Sequence, residues 1–301
     1  MSLFIALSIL FIPGLTAVAI VWVMNRQNEK FINPLTKSLR RPPGAQLGRE
    51  LGAEQIELGF SFVEMLLPGV VPLFVYMQNV AKPEGVGGRV TFLIAIVVWL
   101  LWVAYASVKL ARRIRRIRTL RLGYECELAV GQELDLLMLN GFRVFHDIPA
   151  ENFNIDHIVI GPPGVFAVET KGRSKMLSSD RDAKKQFRVS YQKGVLQFPN
   201  GSDKDAVPQA ERQAAWVRQW LTQSTGQPVP VKPVIVLPGW YVEIKDNPII
   251  PVIASGYIQG YFLRQKGVAL SAKEITQICY QIDQKVRDLP PGEIVRPLPT
   301  Q

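Results

Sequence analysis

Apolar and polar positions follow two different patterns along this chain. Over residues 1–119 the apolar positions run together in long blocks. From Leu122 onward they alternate or recur at helical spacing. Three blocks approach the roughly 20 apolar residues that a bilayer span requires. Residues 2–24 carry no charge. Residues 58–80 carry Glu64 and the interruption Pro68-Gly69-Val70-Val71-Pro72. Residues 90–108 include Trp99, Trp102 and Tyr105. The first block opens without a basic region and has no small-x-small cleavage pattern before Asn25-Arg26, so it reads as an uncleaved anchor. The prolines of the second allow a kinked span or a re-entrant hairpin. Glu64, near the expected inner end, reads as a carboxylate reaching the interface; the alternative is a functional intramembrane acid.

The second pattern predicts an α/β domain. A helix over 125–139 carries Leu128, Leu134, Leu137 and Met138 and stops at Asn140-Gly141. Strands are expected at 142–145, 154–160 and 165–171. Gly161-Pro162-Pro163-Gly164 turns the chain between the last two. Further strand at 186–198 breaks near Lys193-Gly194. A helix over 207–223 carries Ala210, Ala214, Val217 and Leu221. Strands follow at 231–237 and 249–254. Ser271, with Glu274 three residues on, caps a closing helix over 271–287. The expected organisation is a membrane region over 1–119, a globular domain over 120–289 and a proline-rich tail over 290–301.

Charge sharpens the division. The formal net charge is +10, but residues 1–119 hold 14 Lys/Arg against 6 Asp/Glu, and residues 120–301 hold 21 against 19. The basic excess therefore belongs to the apolar half and speaks of membrane orientation before nucleic acid. It gathers in 25–56 and in 109–118, while 81–89 holds only Lys82 and Arg89. Positive loops mark the cytoplasmic side, which predicts an outside N-terminus, three spans and a cytoplasmic C-terminal domain. The run Lys-Leu-Ala-Arg-Arg-Ile-Arg-Arg from Lys109 continues a helix whose basic face lies along anionic headgroups. Two cysteines, Cys126 and Cys279, and two histidines, His146 and His157, exclude a disulfide framework and a structural zinc site and fit a reducing cytosol.

The chemistry lies in the hairpin. If Gly161–Gly164 is the loop, Ile160 pairs with Val165 and Asp156 falls opposite Glu169, on the same face. Lys171 shares that face by the period of two. Ile158, Ile160, Val165 and Ala167 complete it, while Ile155, Val159, Phe166 and Val168 line the other. Facing carboxylates destabilise a ladder unless a cation compensates, and Mg²⁺ takes one or two carboxylates with water and phosphate oxygens. A neighbouring lysine can position an attacking water or stabilise a phosphoryl charge. The competing reading is an ordinary salt bridge.

These residues resemble the PD-(D/E)XK nuclease superfamily. Within it, the stretches ECELAVGQELDLL, FRVFHDI, NIDHIVIGPPGVFAVETKG and PQAERQAAWVRQWL are similar to the nuclease-related domain (NERD) over about residues 122–240. The resemblance implies a restriction-endonuclease-like core, a mixed sheet flanked by helices, and Mg²⁺- or Mn²⁺-dependent phosphodiester hydrolysis of nucleic acid, with DNA as the expected substrate. It makes Asp156 and Glu169 the metal acids, Thr170 a ligand through its carbonyl, and Lys171 the catalytic lysine. Glu127 matches the family's helix glutamate, with Val130 in place but Cys126 where the family has glycine; Glu125 competes. Gln209 matches a helix glutamine that orients substrate or a catalytic group, or else is a solvated polar residue.

His157 follows Asp156 and is expected on the opposite face as a structural residue. His146 is expected to pair with Asp147 or backbone. The basic stretch 173–193, with Phe187 and Tyr191 interleaved, is a phosphate-tracking surface or a solvated charged hairpin. Trp216 and Trp220, four apart, read as packing. Two rivals to the enzyme remain: a catalytically silent interaction module on a membrane tether, and a membrane protein whose soluble domain mediates assembly.

Overall fold

The computed structural model describes residues 38–81, 85–175, 187–266 and 270–288, with Thr16, Ala19, Ile20, Trp22 and Val23. Most of the expected first span, 2–24, and the whole tail, 290–301, lie outside the described residues.

Helix α1 (Ala45–Leu66) passes through a 3-10 turn at Leu67–Gly69 into α2 (Val70–Ala81). The expected block at 58–80 is thus the far end of a longer, kinked helical path. Pro68 and Pro72 sit at the start of the 3-10 turn and in the first turn of α2, where a missing N–H costs least.

Helix α3 (Val86–Asp135) is 50 residues long, about 75 Å at 1.5 Å per residue. It unites what the sequence suggests as a span, a basic helix and a separate domain helix. The run from Lys109 to Asp135 contains no proline and no cap, so nothing stops the helix at the expected boundary of 119 and 120. α1 and α3 are antiparallel. Glu64 pairs with Lys109 at 2.7 Å, Glu57 with Arg113 at 3.0 Å and Glu54 with Arg116 at 2.9 Å. Beyond Glu64 and Lys109 the pair exposes large apolar side chains such as Leu66, Leu67, Leu93, Ile94 and Leu101. Two helical stretches, Ala45–Gln78 and Val86–Asn140, are long and apolar enough to cross a membrane.

The C-terminal half is mixed α/β. A five-stranded sheet has the order β1-β2-β3-β7-β9, from β1 (Arg143–Pro149), β2 (Asn154–Gly161), β3 (Gly164–Thr170), β7 (Val231–Leu237) and β9 (Val252–Ala254). β1, β2 and β3 are antiparallel; β7 and β9 run parallel to β3. On one face Ile158, Ile160, Val165 and Ala167 pack against α4 (Ala206–Thr225) and α6 (Ala272–Val286). On the other, Val159, Phe166 and Val168 pack against Val130 and Leu134 of α3 and Phe262 of α5 (Ile258–Leu263). The end of α3 is therefore a core element of this domain. Ser271 and Glu274 form the expected capping box of α6.

The register across β2 and β3 is Ile160↔Val165 and His157↔Val168. Ile155 departs from expectation: it packs with Ile158 and Ile160, not with Val159. Across from it, between the pairs His146↔His157 and Ile148↔Ile155, Asp147 is left-handed with φ 50°. That twist breaks the period of two, so Phe145 and Ile148, three apart, also face one core.

A second, four-stranded sheet was not anticipated. Its order is β6-β5-β4-β8, from β4 (Arg188–Gln192), β5 (Val195–Phe198), β6 (Gly201–Asp203) and β8 (Tyr241–Ile244). The break between β4 and β5 is the expected one, with Lys193 and Gly194 both at positive φ in a tight hairpin turn. β6, β8 and α5 are three to six residues long, too short to display a period. The strand expected at 249–254 contracts to β9 because Pro248 and Pro251 remove backbone donors.

Candidate active site

The ends of β2 and β3 meet α4 on one side and α3 on the other. Asp156 Oδ2 accepts the Thr170 N–H at 2.7 Å, so a side chain continues where the strand pairing stops. Lys171 follows β3, and its N–H bonds Val236 O at 3.0 Å, which ties it to β7. Glu169 is only 3% exposed, yet both its oxygens are satisfied. Oε1 faces Lys171 Nζ at 2.8 Å and accepts from Gln209 Nε2 at 2.8 Å; Oε2 accepts from Gln213 Nε2 at 2.6 Å. Lys171 Nζ also donates to Gln209 Oε1 at 2.7 Å, which closes a ring of three side chains.

Helix α4 supplies both glutamines. Asp203 Oδ1 accepts the N–H groups of Asp205 and Ala206, each at 2.9 Å, and so starts the helix beside the strand ends. Gln209 and Gln213 are four apart and face the same way. Gln213, not singled out from the sequence, is buried and also donates to Asn154 O at 3.2 Å. Its Oε1 has no partner among the described residues. Its signal was available: it is a polar residue on the apolar stripe of Ala206, Ala210 and Val217.

Glu127 of α3 turns toward this cluster, whereas Glu125 is exposed. Burial, then the negative charges of Asp147 and Glu169, push the Glu127 carboxyl up to about 8, against the pull of Lys171. Burial, then Glu169 and Glu127, hold Asp156 well above the usual carboxylate range, opposed by the Thr170 N–H and Lys171. Burial works against the Lys171 ammonium, but Glu169, Asp156 and Asp203 outweigh it and raise its pKa. Burial and the neighbouring Glu125 and Glu127 raise the Cys126 thiol, which disfavours its nucleophilic thiolate. Gly172 lets the chain after Lys171 pass α3, since a Cβ there would come 2.7 Å from Cys126 Sγ.

Asp147 is a further buried acid beside Glu127. It accepts from Arg41 Nη1 at 3.1 Å, from the Gln46 N–H at 3.1 Å and from Asn154 Nδ2 at 2.7 Å. It therefore caps α1 and binds the segment before it. Arg41 Nη2 continues to Asp288 Oδ2 at 2.5 Å, and Arg40 pairs with Asp283.

His146 does not pair with Asp147, because that carboxylate is already taken. Its Nε2 lies 3.0 Å from Asp135 Oδ1 and its Nδ1 lies 2.9 Å from His157 Nδ1. His157 Nε2 reaches Thr170 Oγ1 at 3.1 Å. Neutral rings satisfy this chain in one direction: Thr170 donates to His157, His157 to His146, and His146 to Asp135. Burial, then His146, hold the His157 pKa well below its usual value.

Of the basic stretch, residues 176–186 lie outside the described residues. Arg173 lies 4.6 Å over Phe198, and Lys175 lies 4.2 Å over Phe187. Lys171, Arg173, Lys204 and Gln209 share an open groove of about 510 Å³ with Asp203 and Asp205. Trp216 and Trp220 stack at 5.8 Å beneath Lys285, which makes them part of the packing between α4 and α6.

No group of three or more His, Cys, Asp or Glu among the described residues is drawn together tightly enough to hold a metal by itself. Mg²⁺ needs only one or two carboxylates beside water and phosphate oxygens. Asp156, Glu169 and the Thr170 carbonyl offer oxygen donors alone, and crowding that raises Asp156 and Glu127 is relieved by a cation. The residues fit such an ion.

Residues 122–238 match the family model of the nuclease-related domain, NERD. No curated protein and no solved structure matches the chain.

Proposed function

We propose that the nuclease-related domain is the catalytic part of a membrane-anchored, metal-dependent nuclease that hydrolyses phosphodiester bonds, with DNA as substrate. One observation supports the reading: Asp156, Glu169 and Lys171 gather at the ends of two paired strands beside an open groove lined by both cations and acids. A divalent cation held by Asp156, Glu169 and the Thr170 carbonyl would polarise the scissile phosphate. Lys171, kept as an ammonium by its acids, orients the attacking water and stabilises charge on the phosphoryl oxygens. Gln209 and Gln213 hold Glu169, and Gln209 also holds Lys171. Glu127 supports the cation or a bound water from the helix side. Arg173 and Lys204 guide the phosphate backbone along the groove.

In this reading the apolar helices anchor the domain, and the basic run from Lys109 supports a cytoplasmic domain on a three-span protein. The test is cleavage by the purified full chain, with Mg²⁺ or Mn²⁺, of duplex DNA, single-stranded DNA and RNA. Asp156→Ala abolishes cleavage, and Lys171→Ala lowers it by about 10²–10⁴-fold. A wild-type chain inert under every metal, or an Asp156→Ala chain of full activity, defeats the reading.

One observation favours a binding module without catalysis: both oxygens of Glu169 are already bonded to protein donors. That reading requires nucleic-acid binding unaltered by Asp156→Ala and no cleavage by the wild type.

A further inference from the structure

Where the hairpin of α1 and α3 leaves its apolar zone, it forms a groove of about 610 Å³. Two rows of α3 side chains line it at four-residue spacing, which stacks them on one face. One row is Ala104, Val108, Arg112 and Arg116. The other is Tyr105, Lys109 and Arg113. Both rows change from apolar to cationic within one helical turn, the second at Lys109 and the first at Arg112. The acids of α1 neutralise the second row: Glu64 takes Lys109, and Glu57 takes Arg113. In the first row Glu54 reaches Arg116, which stays 61% exposed. Arg112 is exposed and has no acidic partner among the described residues.

We propose that this groove binds one anionic glycerophospholipid, its phosphate on Arg112 and Arg116 and the start of an acyl chain against Ala104, Tyr105 and Val108. The proposal rests on the membrane reading above. Its volume suits a small-molecule site. Its vertical order, apolar and then cationic, repeats the order of tail and phosphate in a lipid. Guanidinium groups present paired donors that match phosphate oxygens. Free phosphate would occupy the cationic half and leave the apolar half bare, so charge and shape together select the lipid.

The experiment uses the full chain in neutral detergent, titrated with phosphatidylglycerol, phosphatidylcholine and inorganic phosphate and read by native mass spectrometry. Phosphatidylglycerol is retained in preference to phosphatidylcholine, and inorganic phosphate does not displace it. Arg112→Gln weakens retention by about fivefold, the worth of one cation at an anionic surface. Arg112→Gln with Arg116→Gln weakens it further. Arg115→Gln, an equal loss of charge outside the groove, leaves it unchanged. Equal retention of the two lipids, displacement by phosphate, or an equal loss in Arg115→Gln overturns the site. Flotation of the same chain on phosphatidylcholine vesicles separates the two failures. A chain that does not float defeats the membrane reading; one that floats without preferring phosphatidylglycerol defeats the lipid site alone.

Discussion

Gln209 Oε1 accepts a hydrogen bond from Lys171 Nζ at 2.7 Å, while the other end of the same amide donates to Glu169 at 2.8 Å. One helix residue thus sets the spacing between an ammonium and a carboxylate carried two positions apart on β3 and its extension. Gln209→Ala is expected to lower kcat by about 10–100-fold with little change in KM, because it loosens groups that act on the reaction centre. A fall in KM-controlled binding alone, with kcat intact, would refute this role. Gln213→Ala instead reads in stability. It strips a donor from a buried carboxylate, for about 1–3 kcal/mol in chemical denaturation.

The crowded carboxyls make the metal-free fold sensitive to alkali. Glu127 is raised from 4.5 to about 8, and Asp156 moves the same way. In that window the folded chain keeps protons that the unfolded chain has released. Stability from these groups is therefore full below about 4.5 and lost as pH rises through about 8. Tm in chelator should fall across that range, and Glu127→Gln should flatten the fall. Mg²⁺ favours the ionised acids, so it should remove the slope and, at a hundred times its Kd, add about 2.7 kcal/mol. Identical Tm gains in wild type and Asp156→Asn would show that the ion binds elsewhere.

His157 imposes the opposite trend on the acid side. Its folded pKa lies well below 6.5, so the unfolded chain takes up a proton first. Stability is lost as pH falls below about 6.5 toward the folded value. In a Glu127→Gln background, Tm should decline on acidification, and His157→Gln should abolish that decline. An acid limb that persists without His157 assigns it to other groups.

Buried Asp147 pairs with half-buried Arg41 and also caps α1. Arg41→Ala leaves a buried carboxylate without its cation, which costs about 3–5 kcal/mol. The segment before α1 should then become open to proteolysis while the sheet remains folded. Proteolysis at the same rate as wild type would show that the pair does not hold this segment.

Much of the fold is written in local pattern. The hairpin of β2 and β3 follows from the Gly161 to Gly164 turn and alternation, and the capping box of α6 from Ser271 and Glu274. The grouping of Asp156, Glu169 and Lys171 is legible for the same reason, since turn length and the period of two place them without knowledge of distant residues. Alternation failed at Ile155, because a single left-handed residue in the neighbouring strand, Asp147, shifts the face of its partners. The short strands β6 and β8 carry too few residues for any period to show.

By itself, the sequence determined the apolar blocks, the main strands, the register of the central hairpin and the side chains gathered at its end. All of these depend on neighbours within about one turn or one ladder rung. Tertiary structure alone decided that the end of α3 packs into the core of the sheet. It also decided that Gln213 donates to Glu169, that Asp147 caps α1, and that the two histidines bond each other and not Asp147. Those partners lie 11 to 101 residues apart, at separations where burial and unsatisfied hydrogen bonds choose among many candidates and no local period can.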